Sequence, residues 1–148
     1  MLIAPDTKLK VLIYALSSKG LLAFSEPDFP HIPLQVPGGT VEAGEDLALA
    51  AKREFFEETG LEPAGEFEEF FIYTYEWPQS TASQTRFHQR YCFTVELPED
   101  LPATWDHFER HASSGAAPIR FRFQWLPRNR AQQSLGWGMS PAVKHLFS

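Results

Sequence analysis

The segment from Gly38 to Leu61 holds the residue types most able to do chemistry. It runs Gly38-Gly39-Thr40-Val41-Glu42-Ala43-Gly44-Glu45, then Asp46 to Lys52, then Arg53-Glu54-Phe55-Phe56-Glu57-Glu58-Thr59-Gly60-Leu61. Projected as a helix at about 100° per residue from Leu47, the stripe of Ala50, Ala51 and Phe55 also contains Glu54 and Glu58, one turn apart, with Glu57 on its flank. Carboxylates withdrawn from water cost several kcal/mol each unless they are paired or bind a cation, and like charges one turn apart repel. Arg53 neutralises about one of the three. Two readings follow. Either the acids form a solvated strip, with Phe56 and Leu49 marking the buried side, or they converge on a hard divalent cation such as Mg²⁺, which takes oxygen ligands and is commonly completed by substrate phosphates. Gly38-Gly39 is either an ordinary turn or a place where backbone approaches a ligand closely.

Read as Gly39, five residues, Glu45, seven residues, then Arg53 to Leu61, residues 39–61 resemble the Nudix box at every fixed position. The resemblance to the Nudix (MutT-like) hydrolase family implies an α/β/α sandwich built on a mixed, curved central sheet. It also implies hydrolysis of the diphosphate linkage in a nucleoside diphosphate derivative: a nucleoside triphosphate, an ADP-ribose-like compound or a nucleotide sugar. By the same resemblance Mg²⁺, or Mn²⁺, is held by Glu54, Glu57 and Glu58 with the backbone carbonyl of Gly39. Arg53 then orients a glutamate, and Glu45 supports the loop or a metal-bound water. Homodimers are a family tendency.

The reaction expected of such a site is attack on one phosphorus by a metal-activated water, with no covalent intermediate. Glu54 is ligand or base. Asp106, Glu109, His107 and His111, in the long segment before the last strand, are the other candidate bases, and Glu109 is preferred among them. Cys92, mid-strand, reads as a buried apolar thiol. Arg86 and Arg90 share a strand face and either hold substrate phosphates or balance acids of the neighbouring strand such as Glu68 or Glu76. Trp77, Phe29, Tyr75 and Trp105 flank loops and either stack on a base or pack. Two alternatives remain: a catalytically silent nucleotide-sensing or protein-binding module, which usually loses box glutamates, and a prenyl diphosphate isomerase, for which a catalytic cysteine and outside ligands are wanting.

These residues must be positioned by a small number of elements. Lys8 to Leu16 reads as a strand, Leu21 to Phe24 as its hairpin partner, and Leu34 to Val36 as a short strand stopped by Pro37-Gly38-Gly39. Asp46 to Thr59 reads as a helix with Asp46 as N-cap and Gly60 as its stop. Glu66 to Trp77 and Gln84 to Leu97 read as long strands joined by a loop at Pro78 to Ser83. Pro98 to Pro118 reads as loop, Ile119 to Leu126 as a strand, and Ser140 to Phe147 as a short helix. Six or seven strands and two helices make an α+β domain.

The 148 residues suit one domain, 1–148. An apolar fraction of 43% and a charged fraction of 22% exclude disordered and fibrous classes. The net charge of −6, with ten of the 19 acids between Glu42 and Glu69, disfavours binding to polymeric nucleic acid. No apolar run is long enough to span a bilayer. The single cysteine and the absence of a signal-like N-terminus suggest a cytoplasmic protein, and the expected partner is a small nucleotide rather than a membrane.

Overall fold

The computed structural model describes residues 6–78, 86–109 and 117–147. The first strand, β1 (Thr7–Ser17), explains the layout. From Val11 onward it is buried on both faces, which is why its sequence runs apolar without alternation. Val11, Ile13 and Ala15 enter one core, and Leu12, Tyr14 and Leu16 enter the other. Along one edge β1 pairs in parallel with β5 (Phe87–Glu96), from Thr7 opposite Phe87 to Leu16 opposite Glu96. Its other edge is divided. Leu16 and Ser17 pair with β2 (Gly20–Ser25), whereas Lys10 to Leu12 pair with β3 (Gly38–Thr40).

The sheet is completed by β4 (Glu68–Glu76) beside β5, β7 (Arg120–Leu126) beside β2, and β6 (Trp105–Phe108) beside β7. Its order is β4-β5-β1-β2-β7-β6, with β3 on the shared edge of β1. Helix α1 (Leu47–Thr59) packs Ala50, Ala51 and Phe55 onto one face. Helix α2 (Arg128–Ser134), a 3₁₀ turn (Ser140–Ala142) and α3 (Val143–Leu146) supply Ala131, Ala142 and Val143 to the other. The result is the expected α+β sandwich around a mixed sheet. Among the described residues no helix is long and apolar enough to cross a membrane.

Three expectations are corrected. Pro37-Gly38-Gly39 does not stop a strand: Gly38 to Thr40 are the strand, and Leu34 and Gln35 make only isolated bridges, to Leu135 and Phe24. Here glycine serves close packing, since a Cβ on Gly38 would lie 2.4 Å from the Val11 carbonyl oxygen. Trp105 to Phe108 lie in a strand rather than a loop; at the sheet edge this short run is held partly by Asp106, which pairs with Arg122 at 2.9 Å. Helix α2 stands where the sequence carries no helix signal, because it buries only Ala131 and so shows no apolar period. The expected loop at Pro78 to Ser83 lies outside the described residues after Pro78.

Both ends of α1 follow their sequence signals. Asp46 accepts the Leu49 N–H at 3.1 Å, and Gly60, at φ 77°, donates its N–H to Phe56 at 2.9 Å. Replacing Asp46 with Ala should lower stability by about 1 kcal/mol. Urea unfolding should show this as a reduced midpoint at unchanged slope.

Candidate active site

Helix α1 lies across β3, and side chains rather than backbone join them. Glu58 is only 7% exposed and accepts the Gly38 N–H at 2.7 Å. Burial raises its pKa well above the usual carboxylate range, against the opposing effect of that hydrogen bond, and nearby Glu109, Glu54 and Glu57 raise it further. Glu54 lies against Gly39, where a Cβ would sit 2.1 Å from the carboxyl carbon. Its pKa is raised to about 7, first by burial, with Arg53 opposing and Glu57 and Glu109 adding. Glu109 is itself raised by burial and by Glu26 and Glu57. The strip is therefore not solvated. Several carboxylates share a poorly hydrated space, which suits hard cations and leaves their negative charge undercompensated.

Arg53 is the one cation of the motif paired to its carboxylates among the described residues, and all three of its nitrogens are committed. Nε and Nη2 donate to the two oxygens of Glu45, each at 2.8 Å, and Nη2 also donates to the Thr40 carbonyl at 3.1 Å. Nη1 donates to Glu54 at 2.9 Å and reaches Glu57 at 3.5 Å. This fork holds the Glu45 carboxyl down at about 2. Glu45 also accepts the Glu42 N–H at 3.0 Å, so it braces the loop. Among the described residues no three Asp, Glu, His or Cys side chains already form a ligand cluster, and Arg53 Nη1 stands between Glu54 and Glu57. The donors nevertheless suit a divalent ion: hard carboxylate oxygens, mutually repelling, beside a glycine whose missing Cβ leaves room for Glu54.

A cavity of about 180 Å³ adjoins this wall, lined by Gly38, Gly39 and Glu58 at one side and by Lys10, Arg90 and Trp77 among others beyond. Lys10 donates to Thr40 Oγ1 at 2.7 Å. The sequence reading overlooked Lys10, whose signal is a cation immediately before the unbroken apolar run of β1. A second hollow, about 440 Å³, lies beside Phe56, Glu57, Leu101 and Trp105. Its lining contains no Lys or Arg, so it is poorly suited to a polyphosphate.

The remaining candidates divide. Glu109 joins the box carboxylates electrostatically, whereas Asp106 is taken up by Arg120 and Arg122 at the sheet edge. His107 packs against Gly60, and His111 lies outside the described residues. Arg86 is exposed and pairs with Glu76 at 3.0 Å, outside the cavity lining, so the pairing of Arg86 with Arg90 as a phosphate clamp gives way to the cross-strand ion pair. Arg90 lines the cavity but is 3% exposed, and its Nη1 donates to the Trp137 carbonyl at 2.7 Å. Trp77 also lines it, stacked on His88 at 5.2 Å. Phe29 is exposed, and Trp105 stacks on Phe123. Cys92 is fully buried, and burial pushes its thiol up to about 12.

A glycine-edged strand with an acidic helix laid over it is an arrangement able to hold a hard cation beside an anionic ligand. A model of the NUDIX domain matches residues 6–146, and the chain belongs to the Nudix family, whose hydrolases act on acid anhydrides in phosphorus-containing compounds. No curated protein matches it in sequence. The solved structures it resembles include a dihydroneopterin triphosphate pyrophosphohydrolase of E. coli, at 20% identity and a TM-score of 0.69 over 97% of each chain. They also include a MutT protein of Methanosarcina mazei Go1, at 15% identity and 0.66 over 96% of this chain and 94% of that one. A MutT protein of Bacillus halodurans aligns at 17% identity and 0.61 over 94% and 81% respectively. At these identities the likeness speaks for the fold.

Two outcomes follow. Gly39→Ala should displace the Glu54 carboxylate and reduce hydrolysis on the order of 100-fold, with the circular dichroism spectrum retained. His88, held down to about 4 mainly by burial and then by Lys10 and Arg90, is neutral in the folded protein, while an unfolded histidine titrates near 6.5. Between these values the unfolded chain binds the extra proton, so this stability is complete above pH ~6.5 and is lost as pH falls towards 4. Denaturation of His88→Gln across that window should show a shallower acid decline than the parent.

Proposed function

We propose that the protein is a Mg²⁺-dependent pyrophosphohydrolase cleaving the diphosphate linkage of a nucleoside diphosphate derivative, with Mn²⁺ able to substitute. The observation that carries this reading is the buried Glu58 and its neighbour Glu54, set against Gly38 and Gly39 on the wall of a cavity that also holds Lys10. Glu54, Glu57, Glu58 and the Gly39 carbonyl would hold the metal. When bound, the metal offsets phosphate charge and makes water more acidic.

The chain's own residues do the rest. Arg53 fixes Glu54 and Glu57 from behind and, with Glu45, keeps the preceding loop in place. Lys10 presents an ammonium group to the phosphates. Glu109 is the base: its carboxyl, raised by burial and by Glu26 and Glu57, is better matched than an ordinary glutamate to accept a proton near neutral pH. The water oxygen forms a bond to one phosphorus, its proton passes to Glu109, and the bridging P–O bond breaks with the electron pair leaving on the departing phosphate.

The test is a panel of nucleoside triphosphates, ADP-ribose, nucleotide sugars and dihydroneopterin triphosphate, incubated with Mg²⁺ and read by phosphate and pyrophosphate release. Turnover of at least one compound is expected, and chelation should remove it. Glu57→Gln should lower the rate by roughly 1,000-fold or more without changing the melting temperature by more than a few degrees. Lack of turnover across the panel with metal bound, or full activity in Glu57→Gln, would sink the reading.

A further inference from the structure

Phe56 is 49% exposed although Glu58, two residues further along α1, is buried. A lone exposed ring is ordinary on a protein surface. This one stands at the rim of the hollow beside Glu57, whose volume of about 440 Å³ falls within the range of about 300–1,000 Å³ typical of small-molecule pockets. Leu101 and Trp105 supply more of its apolar wall. The Trp105 ring is packed against Phe123 at 5.1 Å and Trp125 at 6.3 Å, so that part of the wall is fixed by the core.

Polar groups along the wall are spent on one another. The Thr59 hydroxyl donates to the Phe55 carbonyl at 2.6 Å and accepts the Leu61 N–H at 3.0 Å. The Gly60 N–H goes to the Phe56 carbonyl at 2.9 Å, and the Pro102 carbonyl accepts the Trp125 indole N–H at 2.9 Å. Among the described residues the lining holds no Lys or Arg. A sugar or a further phosphate entering here would shed water and meet few partners. A hydrocarbon group would gain by leaving water.

The two hollows meet the acidic helix at adjacent residues. Glu58 lines the cavity that holds Lys10, and Glu57 lines the apolar one. A diphosphate held at these carboxylates therefore reaches a cationic space past Glu58 and an apolar space past Glu57.

We propose that the hollow bounded by Phe56, Leu101 and Trp105 is a subsite for an uncharged apolar group, aliphatic or aromatic, esterified to the far phosphate of the substrate, and that these three residues determine specificity for it. The proposal deepens the hydrolase reading and rests on it for the cleavage itself, whereas filling of the hollow is measurable without turnover. It favours diphosphates ending in an apolar ester over nucleotide sugars and over substrates ending in a bare phosphate.

Hexyl phosphate and methyl phosphate, each titrated in Mg²⁺ buffer and followed by amide NMR shifts, test the filling of the hollow. Each methylene taken out of water is worth a factor of about 4 in affinity. The parent should therefore bind hexyl phosphate at least about 10-fold tighter than methyl phosphate, with shifts in residues 56–61 and 101–107. Phe56→Ser, at an exposed position, should keep the melting temperature and shrink the ratio to within about threefold. Phe56→Leu should retain most of it, and Leu101→Asn should act in the same direction as Phe56→Ser. Each ratio is taken within one variant, so a change in metal binding at Glu57 cancels. In hydrolysis, ADP esterified on its β-phosphate with a hexyl group should exceed the glucose ester in kcat/KM by about 10-fold in the parent. A parent without preference for the hexyl group, a preference that survives in Phe56→Ser or Leu101→Asn, or shifts confined to the cavity of Lys10 would overturn the subsite. Hexyl preference at the hollow with no ester hydrolysed would overturn the hydrolase reading and leave the subsite standing.

Discussion

Negative charge gathered on one side of α1 is the constraint around which the molecule is arranged. Glu54, Glu57 and Glu58 cannot avoid one another at their spacing, and the sheet denies two of them the water that would screen their repulsion. The motif answers with one guanidinium and one backbone donor. Arg53 is spread over Glu45, Glu54 and Glu57, and Gly38 gives its N–H to Glu58. These contacts explain why β3 must be a strand with almost no side chains. A residue with a Cβ at Gly39 would take the place of the Glu54 carboxylate, and one at Gly38 would collide with β1. Arginine suits the central role, since its planar fork can serve Glu45 with two nitrogens and still reach across the helix.

The core and the motif helix were legible because the signals there are local. Asp46 and Gly60 mark the ends of α1 by their own hydrogen bonding, and the unbroken apolar run of β1 announces burial on both faces. The box spacing likewise pointed to the carboxylates that the fold gathers. What sequence could not disclose depended on register and on distant partners. Arg86 and Arg90 are equivalent by alternation, yet one meets Glu76 at the surface and the other is enclosed by Tyr73, Tyr75 and the turn at Trp137. Trp137 itself is 47 residues from Arg90 along the chain and carries no motif. β6 was hidden because four residues at an edge give too short a pattern, and α2 because its exposed face is nearly all of it.

Family membership and site geometry agree on the class of reaction and leave recognition to elements outside the box. Apart from Gly38, Gly39 and Glu58, the cavity walls come from β1, β2, residues 35–36, β5, the turn after α2 and the residue following β4. None of those positions is fixed by the 39–61 pattern. That separation is consistent with structural relatives of similar shape and low identity.

The Arg53 fork has one more consequence, for the timing of order. Because Glu45, Thr40 and Glu54 are tied together within the polypeptide itself, the loop from 41 to 46 surrenders its conformational freedom when the chain folds. An arriving ligand therefore meets an already rigid acidic wall and has little left to organise there. Mutational drift among the surrounding recognition residues can then alter what is admitted while the acidic wall keeps its shape.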